Sequence, residues 1–150
     1  MTTPPLLSVI VLTKDEEANL PDLLTSVGPL RPAIYVVDSG STDGTRDLAR
    51  DAGCTVVEHP FETYAAQRNW AFDNLPITTP WTLCLDADER LTSELAAEIS
   101  SLLEGPDPAV DGYMLRKRTH FMGRWLRWGG QYPAHHLRLF RSGKGRCEDR

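Results

Sequence analysis

The sequence predicts an α/β fold of Rossmann-like type: a mostly parallel sheet with helices on both faces and a small antiparallel extension. Three observations carry this expectation. Four continuous apolar, β-branched runs recur along residues 1–90 without polar alternation, as strands covered on both faces do. Each run is followed by a helical stretch, and βα alternation implies parallel strands joined by right-handed crossovers. After "GPDP" (105–108) the segments become shorter, basic and half alternating, which suits antiparallel pairing.

Taken in order, "LLSVIVLT" (6–13) is the first buried strand. "NLPDLLTSV" then offers Asn19 as an N-cap and Pro21 in the first turn, with Leu20, Leu23, Leu24 and Val27 on one helical face. "AIYVVD" (33–38) is the second strand, and "STDGTRDLARDAG" a turn and short helix closed by Gly53. "CTVVEH" (54–59) is the third strand, and "YAAQRNWAFDNL" (64–75) a helix. "WTLCLD" (81–86) is the fourth strand. "TSELAAEISSLLEG" follows as a helix capped by Thr92, with Glu94 in its first turn, a Leu95, Ile99, Leu102, Leu103 stripe, and Gly105 at its end. "GYMLRKRTHF" and "HHLRLFR" form the extension, separated by the Gly- and Trp-rich "MGRWLRWGGQYP".

At 150 residues, 41% hydrophobic and 25% charged, the chain suits one globular domain. No window approaches the roughly 20 apolar residues of a membrane span, and no basic n-region precedes the first apolar run. A cytoplasmic location is therefore expected. Cys54, Cys84 and Cys147 are odd in number and far apart, as buried thiols rather than a disulfide framework or zinc site. Net charge is −5, but unevenly spread. Residues 1–112 hold 6 Lys+Arg against 19 Asp+Glu, and residues 113–150 hold 10 against 2. The expected organisation is an acidic βα half (1–112) and a basic antiparallel extension (113–150) of the same domain. The acidic half suits cations. The basic end suits phosphates or an anionic membrane surface, or else it neutralises its own domain.

Ligands of open parallel sheets bind beyond the carboxyl ends of the strands. Here those ends deliver Thr13-Lys14-Asp15-Glu16, Asp38-Ser39-Gly40-Ser41-Thr42-Asp43-Gly44, Glu58-His59 and Asp86-Ala87-Asp88-Glu89. In extended backbone Asp86 and Asp88 point to one side. Two charges about 4 Å apart repel by roughly 4 kcal/mol at an effective dielectric near 20, so a proton, a neighbouring base or a metal must offset them. "VVDSGSTDGT" resembles a dinucleotide site, but "KDEEANL" after the first strand supplies no glycine cradle for a pyrophosphate. A diphosphate here needs a divalent ion, Mg²⁺ or Mn²⁺, seated on the acid pair. Arg68 either complements base or phosphate oxygens or is a solvated helix arginine.

Together, "SVIVLTKDEEANL", "VVDSGSTDGT", "YAAQRNWA", "LCLDADERLT" and "RLFR" resemble the inverting family-2 glycosyltransferases of GT-A fold, most of all the lipopolysaccharide-core glucosyltransferase subgroup. The resemblance covers nearly the whole chain. It implies transfer of a single sugar from a UDP-sugar to a saccharide or lipid-linked acceptor of a cell-envelope glycan, and no nucleic-acid partner. It places Thr13 and Glu16 at the nucleoside, Asp38 at the base and Arg68 facing the nucleotide. It places Asp86 beside the ribose, Asp88 on the metal and Arg138 on the diphosphate. The Q-x-x-R-W run of processive polymer synthases is absent.

Inversion needs a carboxylate base near the acceptor. After Asp111 the acids are Glu148 and Asp149, and Asp149 is the expected base. Relatives continue past this point, often with a His-Glu pair, so a truncated, catalytically silent nucleotide-binding fragment is the alternative. A haloacid dehalogenase-type phosphatase also uses D-x-D after a strand, but expects Thr or Val where Arg90 stands and its acids on the first strand. "FMGRWLRWGGQYP" either lines the acceptor site and touches the inner membrane face, or packs as a hairpin. Adjacent His135 and His136 point to opposite sides of a strand, which argues against a paired metal site.

Overall fold

The structure, a computed structural model, describes residues 3–117, 120–121, 124–125 and 134–147. Four βα units build the first part. They are β1 (Leu7–Thr13) and α1 (Leu20–Val27), β2 (Ala33–Asp38) and α2 (Thr45–Asp51), β3 (Thr55–Glu58) and α3 (Tyr64–Asn74), and β4 (Trp81–Asp86) and α4 (Ser93–Glu104). A 3₁₀ turn, Gly28–Leu30, follows α1. Then come β5 (Gly112–Lys117), β6 (His120–Phe121), β7 (Arg124–Trp125) and β8 (Ala134–Arg141). The main sheet has the order β3-β2-β1-β4-β8-β5. β1 pairs parallel with β2 and β4, and β2 with β3. β8 enters antiparallel between β4 and β5, so the expected antiparallel extension completes the parent sheet. β6 and β7 pair separately.

The apolar runs are unalternating because both faces are covered. Val9 and Val11 join a cluster with Leu20, Leu23 and Val27 of α1 and Ala96, Ile99 and Leu103 of α4. Ile10, between them, joins Val37, Cys84, Phe140, Ala71 of α3 and Leu75 just after it on the other face. Thr92 caps α4 as expected, accepting from Leu95 N–H at 3.1 Å. Thr63 caps α3 in the same way. Asn19 corrects the expectation: it has helical backbone angles and makes no side-chain cap. Its amide instead donates to Glu16 Oε2 at 2.8 Å. Cys54 and Cys84 are buried, and burial pushes the Cys84 thiol up to about 12. Most of "FMGRWLRWGGQYP" lies outside the described residues, as does Asp149; the His135 and His136 side chains are likewise not described.

Candidate functional site

The carboxyl ends of β1 to β4 meet at one edge, where two loops are clasped by acids. Asp15, at a positive φ of 52°, accepts from Thr42 N–H at 2.6 Å and Asp43 N–H at 3.3 Å. Glu17 Oε2 accepts from Gly44 N–H at 2.7 Å, and Glu17 N–H donates back to Asp43 at 3.3 Å. Asp15 and Glu16 N–H groups donate to Ser41 Oγ and Thr45 Oγ1, each at 2.8 Å. These carboxylates, which look from the sequence like a cation-holding cluster, terminate the free N–H groups of the facing loop.

Asp38 is the keystone of the second loop. It is 0% exposed. Thr13 Oγ1 donates to its Oδ1 at 2.7 Å, and Ser41 Oγ donates to the same oxygen. Gly40 and Ser41 N–H donate to its Oδ2 at 3.0 and 2.8 Å. Gly40 has φ of 90°, the left-handed region that lets the chain turn back over the carboxylate. Four donors fill the roughly four lone-pair sites of a carboxylate. Asp38 therefore has no spare oxygen for the base that the sequence-based expectation gives it. Thr13, 3% exposed, is likewise turned inward.

At β4 the expectation of two carboxylates side by side in extended backbone is corrected. The strand stops at Asp86, and Ala87 and Asp88 form a turn closed by Glu89 N–H to Asp86 O at 2.9 Å. Glu89 Oε1 in turn accepts Asp86 N–H at 2.7 Å. The Asp86 charge is offset by neighbouring bases. Arg68 Nη2 lies 2.6 Å from Oδ1, and Arg138 Nη2 lies 3.6 Å from Oδ2. Arg138, 8% exposed, also reaches Glu89 with Nη1 at 3.3 Å. That nitrogen makes an ion pair but no well-aligned hydrogen bond. Arg68 is thus drawn to an acid rather than solvated, and burial of its charge is opposed by Asp86.

Asp88 is exposed, and no described residue bonds to it. Among the described residues no group of three His, Cys, Asp or Glu side chains is placed to hold a metal. A single exposed carboxylate that bonds to no described residue fits an Mg²⁺- or Mn²⁺-type ion whose remaining ligands are ligand phosphates and water.

Residues that sequence reasoning passed over include Glu89 and Asn69. Asn69, 8% exposed, exchanges two hydrogen bonds with the Cys147 backbone at 2.8 and 2.9 Å. With Arg146 paired to Asp73 at 2.9 Å, it fixes the chain after β8 along α3. Its place beside Arg68 on a helix turned toward the sheet is the one signal available beforehand. Arg68, Cys84, Arg138 and Cys147 share a cavity of about 170 Å³.

A mostly parallel sheet with acid-bearing loops at its carboxyl edge and an antiparallel pair beside its fourth strand is a fold of GT-A type. S. aureus TarS 1-349 matches it with a TM-score of 0.52 at 23% identity, over 65% of this chain and 32% of that one. Mycobacterium tuberculosis glucosyl-3-phosphoglycerate synthase, in its complex with UDP, matches with a TM-score of 0.51 at 24% identity, over 67% and 40%. A family model, glycosyl transferase family 2, matches residues 8–147. The chain belongs to that family. The lipopolysaccharide core biosynthesis glycosyltransferase LpsC of Rhizobium meliloti is 34% identical over 147 residues, 95% of this chain and 53% of LpsC. Glycosyltransferase AglJ of Haloferax volcanii is 33% identical over 134 residues, 87% of this chain and 44% of AglJ. The chain thus spans about half the length of these relatives. The family match removes the phosphatase alternative. Among the described residues no helix is long and apolar enough to cross a membrane.

Proposed function

We propose that this chain forms the donor side of a metal-dependent, inverting glycosyltransferase. It takes a UDP-sugar and delivers one sugar to a saccharide or lipid-linked acceptor of the cell envelope, at the cytoplasmic face of the membrane. The carrying observation is the exposed Asp88 carboxylate, to which no described residue bonds, next in the turn to Asp86 and its ion pairs with Arg68 and Arg138. Asp88 would hold Mg²⁺ or Mn²⁺, and a bound ion neutralises charge on the leaving diphosphate. Support for UDP comes from TarS and the mycobacterial synthase, whose structures contain UDP-GlcNAc and UDP respectively. Support for an envelope glycan comes from LpsC.

In this reading Arg68 and Arg138 fix Asp86 at the ribose, and Glu89 shapes the turn that presents Asp88. Asp38 and Thr13 serve the nucleoside subsite by setting its loop, with half-buried Glu16 lining the rim. Asp149 is the acceptor base. Calorimetry is expected to show UDP binding that strengthens at least tenfold when Mn²⁺ replaces EDTA and loses that gain in Asp88→Asn. Equal UDP affinity with and without the ion overturns the metal role. UDP released from UDP-glucose with a lipid-linked saccharide separates turnover from nucleotide binding alone.

A further inference from the structure

The end of β3 carries a hydrogen-bonding group that neither the loop clasp nor the ion pairs use. His59 follows Glu58 and is half-buried. Its backbone N–H donates to Asp38 O at 3.0 Å, which seats it directly beside the Asp38 loop. The ring stacks on Trp70, with centroids 4.0 Å apart and planes 21° apart. Nδ1 lies 2.6 Å from Gln67 Oε1. Gln67 is 1% exposed, and its amide nitrogen donates to His59 O at 2.9 Å and to Ser39 Oγ at 3.3 Å.

These contacts determine the tautomer. A carbonyl oxygen only accepts, so the Gln67 atom facing His59 O is the amide nitrogen, and the amide oxygen faces Nδ1. Nδ1 must then carry the proton, which leaves Nε2 of the neutral ring as an acceptor. No described residue donates to Nε2. Asp38, its neighbour, already receives four donors and is closed to solvent.

We propose that His59 Nε2 accepts the imide N–H of a uracil-type base and thereby sets the base preference of the donor site. This rests on the reading above that the chain binds a nucleoside diphosphate. Uracil and thymine present an N–H at ring position 3. Cytosine presents a bare nitrogen there, which would meet Nε2 lone pair to lone pair and leave both unpaired.

Calorimetry of the 150-residue chain with Mn²⁺ and UDP, dTDP or CDP tests this. UDP is expected to bind about tenfold tighter than CDP, the worth of one hydrogen bond. His59→Phe keeps the stack on Trp70 but removes the acceptor. It should weaken UDP about tenfold and leave CDP within about twofold, which also reports a folded protein. His59→Gln, able to place an amide oxygen near the Nε2 position, should restore part of the preference. The same His59 dependence for dTDP assigns the imide whatever the sugar; dependence for UDP alone assigns uridine. An unchanged UDP-to-CDP ratio in His59→Phe overturns the proposal and leaves the donor site standing. Absence of UDP binding by the native chain overturns the reading beneath both. Nitrogen-15 shifts of His59 should show the Nδ1–H tautomer without any ligand, and an Nε2–H tautomer overturns the proposal independently.

Discussion

At Asp38 burial alone would raise the carboxyl pKa. It is nevertheless held below the usual carboxylate value, because Ser41, through side chain and backbone, and then Thr13 and Gly40, donate to the charged form. A carboxyl depressed on folding adds stability that is fully present above its unfolded value, about 3.9, and is lost as pH falls through the lower folded value. Asp38→Asn is expected to cost about 1–3 kcal/mol at pH 7 by urea unfolding, since an amide turns donors toward donors. It should also flatten the stability loss below pH 4. The position of Asp38 was legible, because strand ends follow from the apolar pattern. Its partners were not, since Thr13 lies 25 residues away and nothing in its type tells that its hydroxyl turns inward. Asp86 teaches the same lesson: the need for a compensating charge was readable, but Arg68 arrives from 18 residues upstream through the packing of α3.

Among the helices, stop and start signals differ in how firmly they act. Thr63 and Thr92 have extended backbone and accept from the N–H three residues on. Asn19, though of a capping type and followed closely by Pro21, takes helical angles because Glu16 O already receives Asn19 and Leu20 N–H at 3.1 and 2.9 Å. Thr92→Ala should therefore cost about 1 kcal/mol in thermal or urea unfolding. Asn19→Ala should cost less than half of that, the loss of an exposed bond to Glu16. Element existence followed from period and composition, whereas the turn at Asp86–Glu89 did not. Alternating acids look the same whether the strand continues or bends; here the reciprocal bonds between Glu89 and the Asp86 backbone hold the bend.

For the whole molecule, the charge division has a spatial answer in β8. This strand from the basic end lies against β4, placing Arg138 beside Asp86 and Glu89. Leu139 and Phe140, 1% and 5% exposed, enter the cores on opposite faces of the sheet. A chain ending at Asp111 would strip β4 of β8, one of its two neighbours, and leave both cores open. It is expected to lose cooperative unfolding and to aggregate, as size-exclusion chromatography and near-ultraviolet circular dichroism would report.

The reciprocal bonds between the β1 and β2 loops carry a thermodynamic consequence. Among the described residues, Asp15, Glu17 and Asp43 already tie that rim at six backbone or side-chain points. A molecule settling there meets a mould that is set in advance, so little chain freedom is surrendered on arrival. Its selectivity then comes from fit against fixed groups instead of from closure around the guest.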